Sequence, residues 1–295
     1  MSDYVLSCCS SSDLSKEYFE KRNIPVVYFH FELGGTQYLD DMGESVPPKE
    51  LFKRMLDGED TKTSQVSMIE YEEFFEPFLK EGKDIIHVTL SSGLSGTINS
   101  ANLAAENLKE KYPDRKIYIV DSLGASSGYG FLIDSMADLR DKGVSIDELH
   151  KYAEENRLHV HHWFFSTDLT FYIRGGRVSK AAGAIGTVLG ICPLLNMDSD
   201  GLLIPREKVR GKKKVSQRIV EKMVEHADDG KDYSGKCFIS HSDCLEDAQY
   251  VADLIEKTFP NLDGKVEIYP IGATIGSHTG PGTIAVFFHG DLRVK

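Results

Sequence analysis

The chain has 295 residues, 41% hydrophobic and 27% charged, which excludes disorder and a collagen-like composition and, at about 100 to 200 residues per domain, points to two domains. Asp and Glu number 46 against 34 Lys and Arg, and the net charge of −12 makes the bulk surface repel nucleic acid and anionic lipid alike. No apolar run approaches the roughly 18 residues of a membrane span, and MSDYVLSCCSSSDL lacks the basic and apolar stretches of a secretion signal. The five cysteines contain no CxxC pair, so the chain reads as cytoplasmic, without disulfides or structural zinc.

In chain order, YVLSC from Tyr4, IPVVYFHFEL from Ile24, DIIHVTL from Asp84 and KIYIVD from Lys116 predict strands. Between them fall a short helix capped by Asp13 and running through Lys21, one capped by Ser67 through Glu81, and one capped by Ser95 or Thr97 through Lys111. Helices over 128–142 and 146–156 complete this half. Alternation of strand and helix predicts a parallel-sheet α/β domain with right-handed crossovers over residues 1–156. Past Arg157 the helices thin out. Strands are predicted at HHWFFST from His161, LLIPREKV from Leu202, KCFISH from Lys236, KVEIYPIG from Lys265 and TIAVFFHG from Thr283, with helices only over 215–226 and 245–259. That pattern predicts a mixed-sheet α+β domain over 157–295.

Four polar, glycine-rich clusters interrupt the framework: TSQVS from Thr63, SSGLSGT from Ser91, RGGRVS from Arg174 and GSHTGPG from Gly276. SSGLSGT follows a predicted strand, where open α/β sheets bind ligands, and its hydroxyls and backbone N–H groups suit an anion. A nucleophile elbow needs glycine on both sides of its serine; Gly93 precedes Ser95, but Thr97 stands where the second glycine belongs. The segment also lacks the spacing and lysine of a phosphate-binding P-loop. His278, set among glycines that permit close backbone approach, can donate to a carboxylate or phosphate. HVHH from His159 resembles a metal site, but strand alternation sends its members to opposite faces, and no carboxylate or Cys stands at useful spacing; it reads as structural. Of the basic runs, REKVRGKKK from Arg206 reads as solvated charge, whereas the doublet Arg174 and Arg177 around two glycines suits contact with a partner's phosphate or acidic patch.

These clusters, in this order, resemble the DegV family of bacterial fatty-acid-binding proteins, which present acyl chains to a fatty acid kinase. TSQVS is similar to the family's TSQPS. SSGLSGT, DSLGASSGYG from Asp121, RGGRVS, CPLL before DGLLIPREKVRGKKK, and SHTGPG carry the likeness nearly end to end. Cys9 and Ser10 stand where the family commonly has Asp-Ser, Val66 where it has proline, and Cys192 where it has a basic residue. The resemblance implies a two-domain carrier with no catalytic residue, metal or cofactor. One long-chain fatty acid would be its ligand and a fatty acid kinase its partner, ahead of phospholipid synthesis. Thr63, Ser64, Ser92, Gly93 and Ser95 would hold the carboxylate with His278 close by, the acyl chain would enter the second domain's core, and Arg174 and Arg177 would face the kinase. The alternative is a hydrolase or acyl-transfer enzyme using Ser95 and His278. For a carrier the magnitudes divide cleanly: about 14 methylenes at about 0.8 kcal/mol each give about 11 kcal/mol before binding costs. A hydrogen bond to a charged group adds only about 1.5 to 3 kcal/mol, so the tail sets affinity and the head group sets orientation.

Overall fold

Residues Tyr4–Cys9 (β1) and Asp84–Thr89 (β6) are buried on nearly every position, as parallel strands covered on both faces must be. They pair in parallel from Tyr4 opposite Asp84 to Cys8 opposite Val88. Around them a four-stranded parallel sheet runs β2 (Val26–Val27), β1, β6, β7 (Ile117–Asp121). The computed structural model describes residues 4–179 and 190–295. Helices α1 (Lys16–Arg22), α3 (Met68–Lys80), α4 (Thr97–Lys111), α5 (Ser127–Asp141) and α6 (Ile146–Asn156) follow the predicted alternation. Ser67 and Ser145 each open a helix through a reciprocal capping box, with Glu70 and Glu148.

Some local expectations need correction. Gly96, and neither Ser95 nor Thr97, holds the cap position of α4. The cap of α1 is Ser15, whose hydroxyl accepts from the Tyr18 N–H. Asp13 turns inward instead, accepting from Gly272 N–H and the Ser126 hydroxyl. The apolar stretch from Ile24 is two strands in two sheets. Its first part is β2; its second, β3 (His30–Leu33), joins a three-stranded antiparallel sheet ordered β4 (Thr36–Leu39), β3, β5 (Thr61–Ser64). Gly34 and Gly35, both at positive φ (57° and 82°), close the β3–β4 hairpin as the tightest such loops require. Helix α2 (Pro48–Leu56), with Pro48 in its first turn, packs Leu51 and Phe52 against this small sheet's Phe31 and Leu33.

The second sheet has six strands, ordered β10 (Leu203–Arg210), β9 (Ile191–Met197), β8 (Val160–Ser166), β13 (Thr283–His289), β11 (Phe238–His241), β12 (Glu267–Pro270). Its pairs are antiparallel except β11 with β12, so it is the mixed sheet expected. Helices α8 (Lys212–His226) and α9 (Leu245–Thr258) cover one face. Alternation along β13 separates two cores: Ile284, Val286 and Phe288 pack with Trp163, Ile219 and Ile255 of the helix-covered face. Ala285 and Phe287 instead join Phe164, Tyr129 and the parallel sheet's Leu6 and Ile86. One apolar cluster therefore runs from the parallel sheet to the inner face of the mixed sheet.

Candidate carboxylate and acyl-chain site

Between those two sheets lies a cavity of about 450 Å³, within the range of small-molecule sites. Leu90, Phe164, Met197, Leu203, Ala285 and Phe287 give it apolar walls, and Thr63, Ser64, Ser95, Arg177 and His278 also line it. Thr63 arrives on β5 of the small sheet. Ser95 sits at the entrance to α4, where its hydroxyl accepts from Thr97 N–H at 3.2 Å. His278 belongs to a short helix, α10 (Ala273–Thr279), in a segment its glycines made look like a loop. The buried Asp40 carboxylate, accepting from the Ala273 and Thr274 N–H groups at 3.1 Å each, fixes the start of α10.

Thr63 Oγ1 and His278 Nε2 share a hydrogen bond of 2.7 Å. The other ring nitrogen, Nδ1, is buried and has no hydrogen-bond partner among the described residues. It lies 2.2 Å from where a Cβ on Gly175 would stand, so the first glycine of RGGRVS is there to admit the imidazole. The second, Gly176, sits at φ +72°, where a side chain is strained. Burial, reinforced by the Arg177 charge, pushes the His278 pKa down to about 4, and the ring is neutral at neutral pH. Arg177 is half-buried and donates to the carbonyls of Gly175 (2.6 Å) and Leu94 (3.1 Å). No carboxylate among the described residues lies within ion-pair distance of it, leaving the cavity wall with an uncompensated cation.

Ser92 and Gly93 do not line the cavity. Ser92 is exposed, its N–H donating to Asp121 Oδ1 at 3.1 Å. Gly93 presses on the turn at Asp200–Gly201, where a Cβ would fall 2.7 Å from a carbonyl oxygen. Their loop is organised by Ser91: its hydroxyl donates to Gly201 O and accepts from Gly93 N–H, and its carbonyl accepts from Leu94 and Ser95 N–H. Arg174, at the end of helix α7 (Thr170–Arg174), is exposed, its guanidinium stacked over Phe171 at 5.7 Å. The arginine doublet is thus divided, one inward and one outward. Gln65, Tyr172 and Thr279 also line the cavity; no sequence signal marked Tyr172, whereas Gln65 sat inside TSQVS and Thr279 inside GSHTGPG.

A hydrolytic relay needs a serine hydrogen-bonded to a base poised near neutrality and oriented by a third group. Here His278 bonds Thr63 and not Ser95, its Nδ1 has no carboxylate partner among the described residues, and its pKa lies near 4. What the groups can do is hold an anion: two hydroxyls, a neutral imidazole and a half-buried guanidinium at an apolar cavity. No helix of the described residues is long and apolar enough to cross a membrane.

The DegV family model matches residues 9–291. A DegV domain-containing protein of Clostridium perfringens is 36% identical over 293 residues, covering 99% of both chains. A solved DegV family protein from Thermus thermophilus, described by its fatty acid binding, has 26% identity and a TM-score of 0.87 over 98% of this chain and 99% of that one. The Streptococcus pneumoniae fatty acid kinase (Fak) B3 protein, loaded with linoleic acid, shares the fold at a TM-score of 0.84 and 24% identity, covering 99% of this chain and 100% of that one. With the family model and a full-length relative both in agreement, the chain belongs to the DegV family.

Proposed function

We propose that the protein is a carrier that buries one long-chain fatty acid and presents its carboxylate to a fatty acid kinase for conversion to an acyl phosphate. The observation that carries this reading is the conjunction at one cavity: the Thr63–His278 pair, Ser95 and an uncompensated Arg177 beside walls of Leu, Met and Phe. Thr63 and Ser95 donate to the carboxylate, Ser64 stands next to them, and Ser92 and Gly93 act by shaping the loop that sets Ser95. The fatty-acid binding of the Thermus thermophilus protein supports the ligand class. We place the domain division near Arg157, with residues 1–156 bringing Thr63 and Ser95, and residues 157–295 supplying His278 and most of the tail's walls.

Purified protein is expected to carry about one long-chain acid by native mass spectrometry, or to take up oleate when offered it. Thr63→Ala and Ser95→Ala should each weaken oleate binding by about 1 to 3 kcal/mol, the cost of removing one partner of a buried hydrogen bond. A bare polypeptide that takes up no acid, or two single variants with wild-type affinity, overturns the assignment.

The kinase half of the proposal rests on Arg174. Exposed, outside the cavity and without an ion pair among the described residues, its guanidinium rests on the Phe171 ring of an acidic protein, while Arg177 stands at the cavity wall, where a kinase reaching the carboxylate would meet it. Close charge pairs across interfaces couple by about 1.5 kcal/mol or more, over tenfold in association. Arg174→Ala should keep its bound acid and lose most acyl phosphate formation in an assay coupled to the cognate kinase. Loss of lipid occupancy with kinase association intact would place Arg174 in the lipid site or the fold instead.

A further inference from the structure

Strand alternation sends His162 to the cavity and His161 to the opposite, helix-covered face of β8. There His161 meets two residues from far along the chain, which spacing along the sequence did not reveal: His226, the last residue of α8, and Asp291, just beyond β13. His161 Nε2 lies 2.8 Å from Asp291 Oδ1, and His226 Nδ1 lies 3.2 Å from the same oxygen. One donor atom from each of the three falls within 4.8 Å of the others. The imidazoles stack at 5.0 Å with 22° between their planes, so both present a nitrogen to one carboxylate. We propose that His161, His226 and Asp291 form a binding site for one divalent transition-metal ion of the zinc type, with solvent completing its coordination.

The donor chemistry selects the class. Two imidazole nitrogens and one carboxylate oxygen suit zinc and its neighbours and are a poor set for calcium or magnesium, which prefer all-oxygen shells. Zinc bonds of about 2.0 to 2.2 Å set ligand atoms about 3.3 to 3.5 Å apart in a tetrahedral shell. The two gaps of 2.8 and 3.2 Å must therefore open by a few tenths of an ångström, which the largely exposed Asp291 side chain can supply. His161 is buried on the helix-covered face and ligates as the neutral ring. Its Nε2 also contacts the Asp291 backbone carbonyl at 2.8 Å; metal binding leaves the ring proton on Nδ1 and frees the Nε2 lone pair.

Nearby cations would oppose an incoming ion, and both are already engaged. Lys222 pairs with Glu207 and Glu225, and the Arg293 guanidinium donates to four backbone carbonyls. The three ligands sit on a central strand, a helix end and the C-terminal tail, so an ion here would pin that tail to the body of the mixed sheet.

The molecule contains its own reporter. Trp163, the single tryptophan of the chain, stacks on His226 at 5.5 Å and 21°. Full-length protein stripped with a chelator should bind one Zn²⁺ per chain in equilibrium dialysis, and Cu²⁺ should quench Trp163 fluorescence with saturable, Zn²⁺-competable behaviour. His226→Gln and Asp291→Asn, both at accessible positions, should each weaken Zn²⁺ binding at least about tenfold and abolish the zinc-dependent rise in unfolding midpoint. His150→Gln, on α6, should change neither. Zinc-free unfolding midpoints of all three variants close to wild type would show that the fold is retained. Absence of zinc binding at micromolar concentrations, or binding that survives in both His226→Gln and Asp291→Asn, overturns the proposal.

Discussion

Ala285→Phe is expected to cut affinity for an 18-carbon acid by about a thousandfold while leaving a much shorter acid closer to its wild-type affinity. β13 begins five residues after His278, and its inward-facing Thr283, Ala285 and Phe287 all line the cavity. At about 3.3 Å per residue, Phe287 lies about 13 Å beyond Thr283, so this strand carries the wall away from the head group. A phenyl ring at position 285 occupies room otherwise open to roughly five methylenes. At about 0.8 kcal/mol each their exclusion costs about 4 kcal/mol, and every 1.4 kcal/mol is tenfold. The measurement is a chain-length series against wild type and variant, with urea midpoints to show that the strand tolerates the ring. Equal losses for short and long acids would mean that Ala285 does not border the tail, and undiminished binding of the long acid would mean that the tail lies elsewhere.

What could be read in the sequence followed from local physics. The capping boxes at Ser67 and Ser145 need only residues three apart, and the inward–outward alternation of TIAVFFH is written in the strand itself. What could not be read depends on residues distant in sequence. Asp13 looks like a helix cap because Asp favours that position, yet Ser15, two residues on, takes it, while Gly272 and Ser126 provide Asp13 with a buried alternative. GSHTGPG looks like a loop by its glycines; Asp40, more than 230 residues upstream, makes its first half helical by satisfying two N–H groups at the start of α10. No strand is predicted over CPLLNM, yet β9 forms there despite Pro193, which lacks the N–H a ladder uses. The register explains its tolerance: β8 pairs with Leu194, Leu195 and Asn196 and stops short of Pro193. For the site, the cluster positions of Thr63, Ser95 and His278 were legible, but the inward turn of Arg177 and outward turn of Arg174 were not. Two arginines three residues apart differ only through the Gly175–Gly176 turn and the imidazole packed upon it.

The tail holds the second large effect. Arg293 is 3% exposed, and its guanidinium donates to the carbonyls of Leu123 (2.7 Å), Arg157 (3.1 Å), Asp198 (3.2 Å) and Met197 (3.4 Å). Burial lowers its pKa to about 10, so it stays charged at neutral pH. Those carbonyls come from the loop after β7, the end of α6 and the end of β9, and one side chain ties the parallel-sheet region to the mixed sheet. Arg293→Met keeps the apolar stem and removes every donor. Charged hydrogen bonds are worth about 1.5 to 3 kcal/mol each, and relief from burying a cation offsets part of their loss; the expected net destabilisation is about 3 to 4 kcal/mol. Arg293→Lys should recover little, since one ammonium cannot span the positions reached by a planar fork. The loss should reach the lipid as well. Leu123 and Ser126 hold positive-φ backbone at 45° and 55°, conformations costing on the order of 1 kcal/mol or more for side-chain-bearing residues. Ser126 and Ala125 line the cavity. Asp13 and Ser240 fix Ser126 through its hydroxyl, while Arg293 fixes Leu123 through its carbonyl. Without that clamp the strained turn can relax and release the cavity wall it forms. Urea unfolding and oleate titration on the same Arg293→Met preparation test both consequences: a midpoint corresponding to less than about 1 kcal/mol of lost stability would refute the clamp, and full oleate affinity would separate the turn from the acyl site.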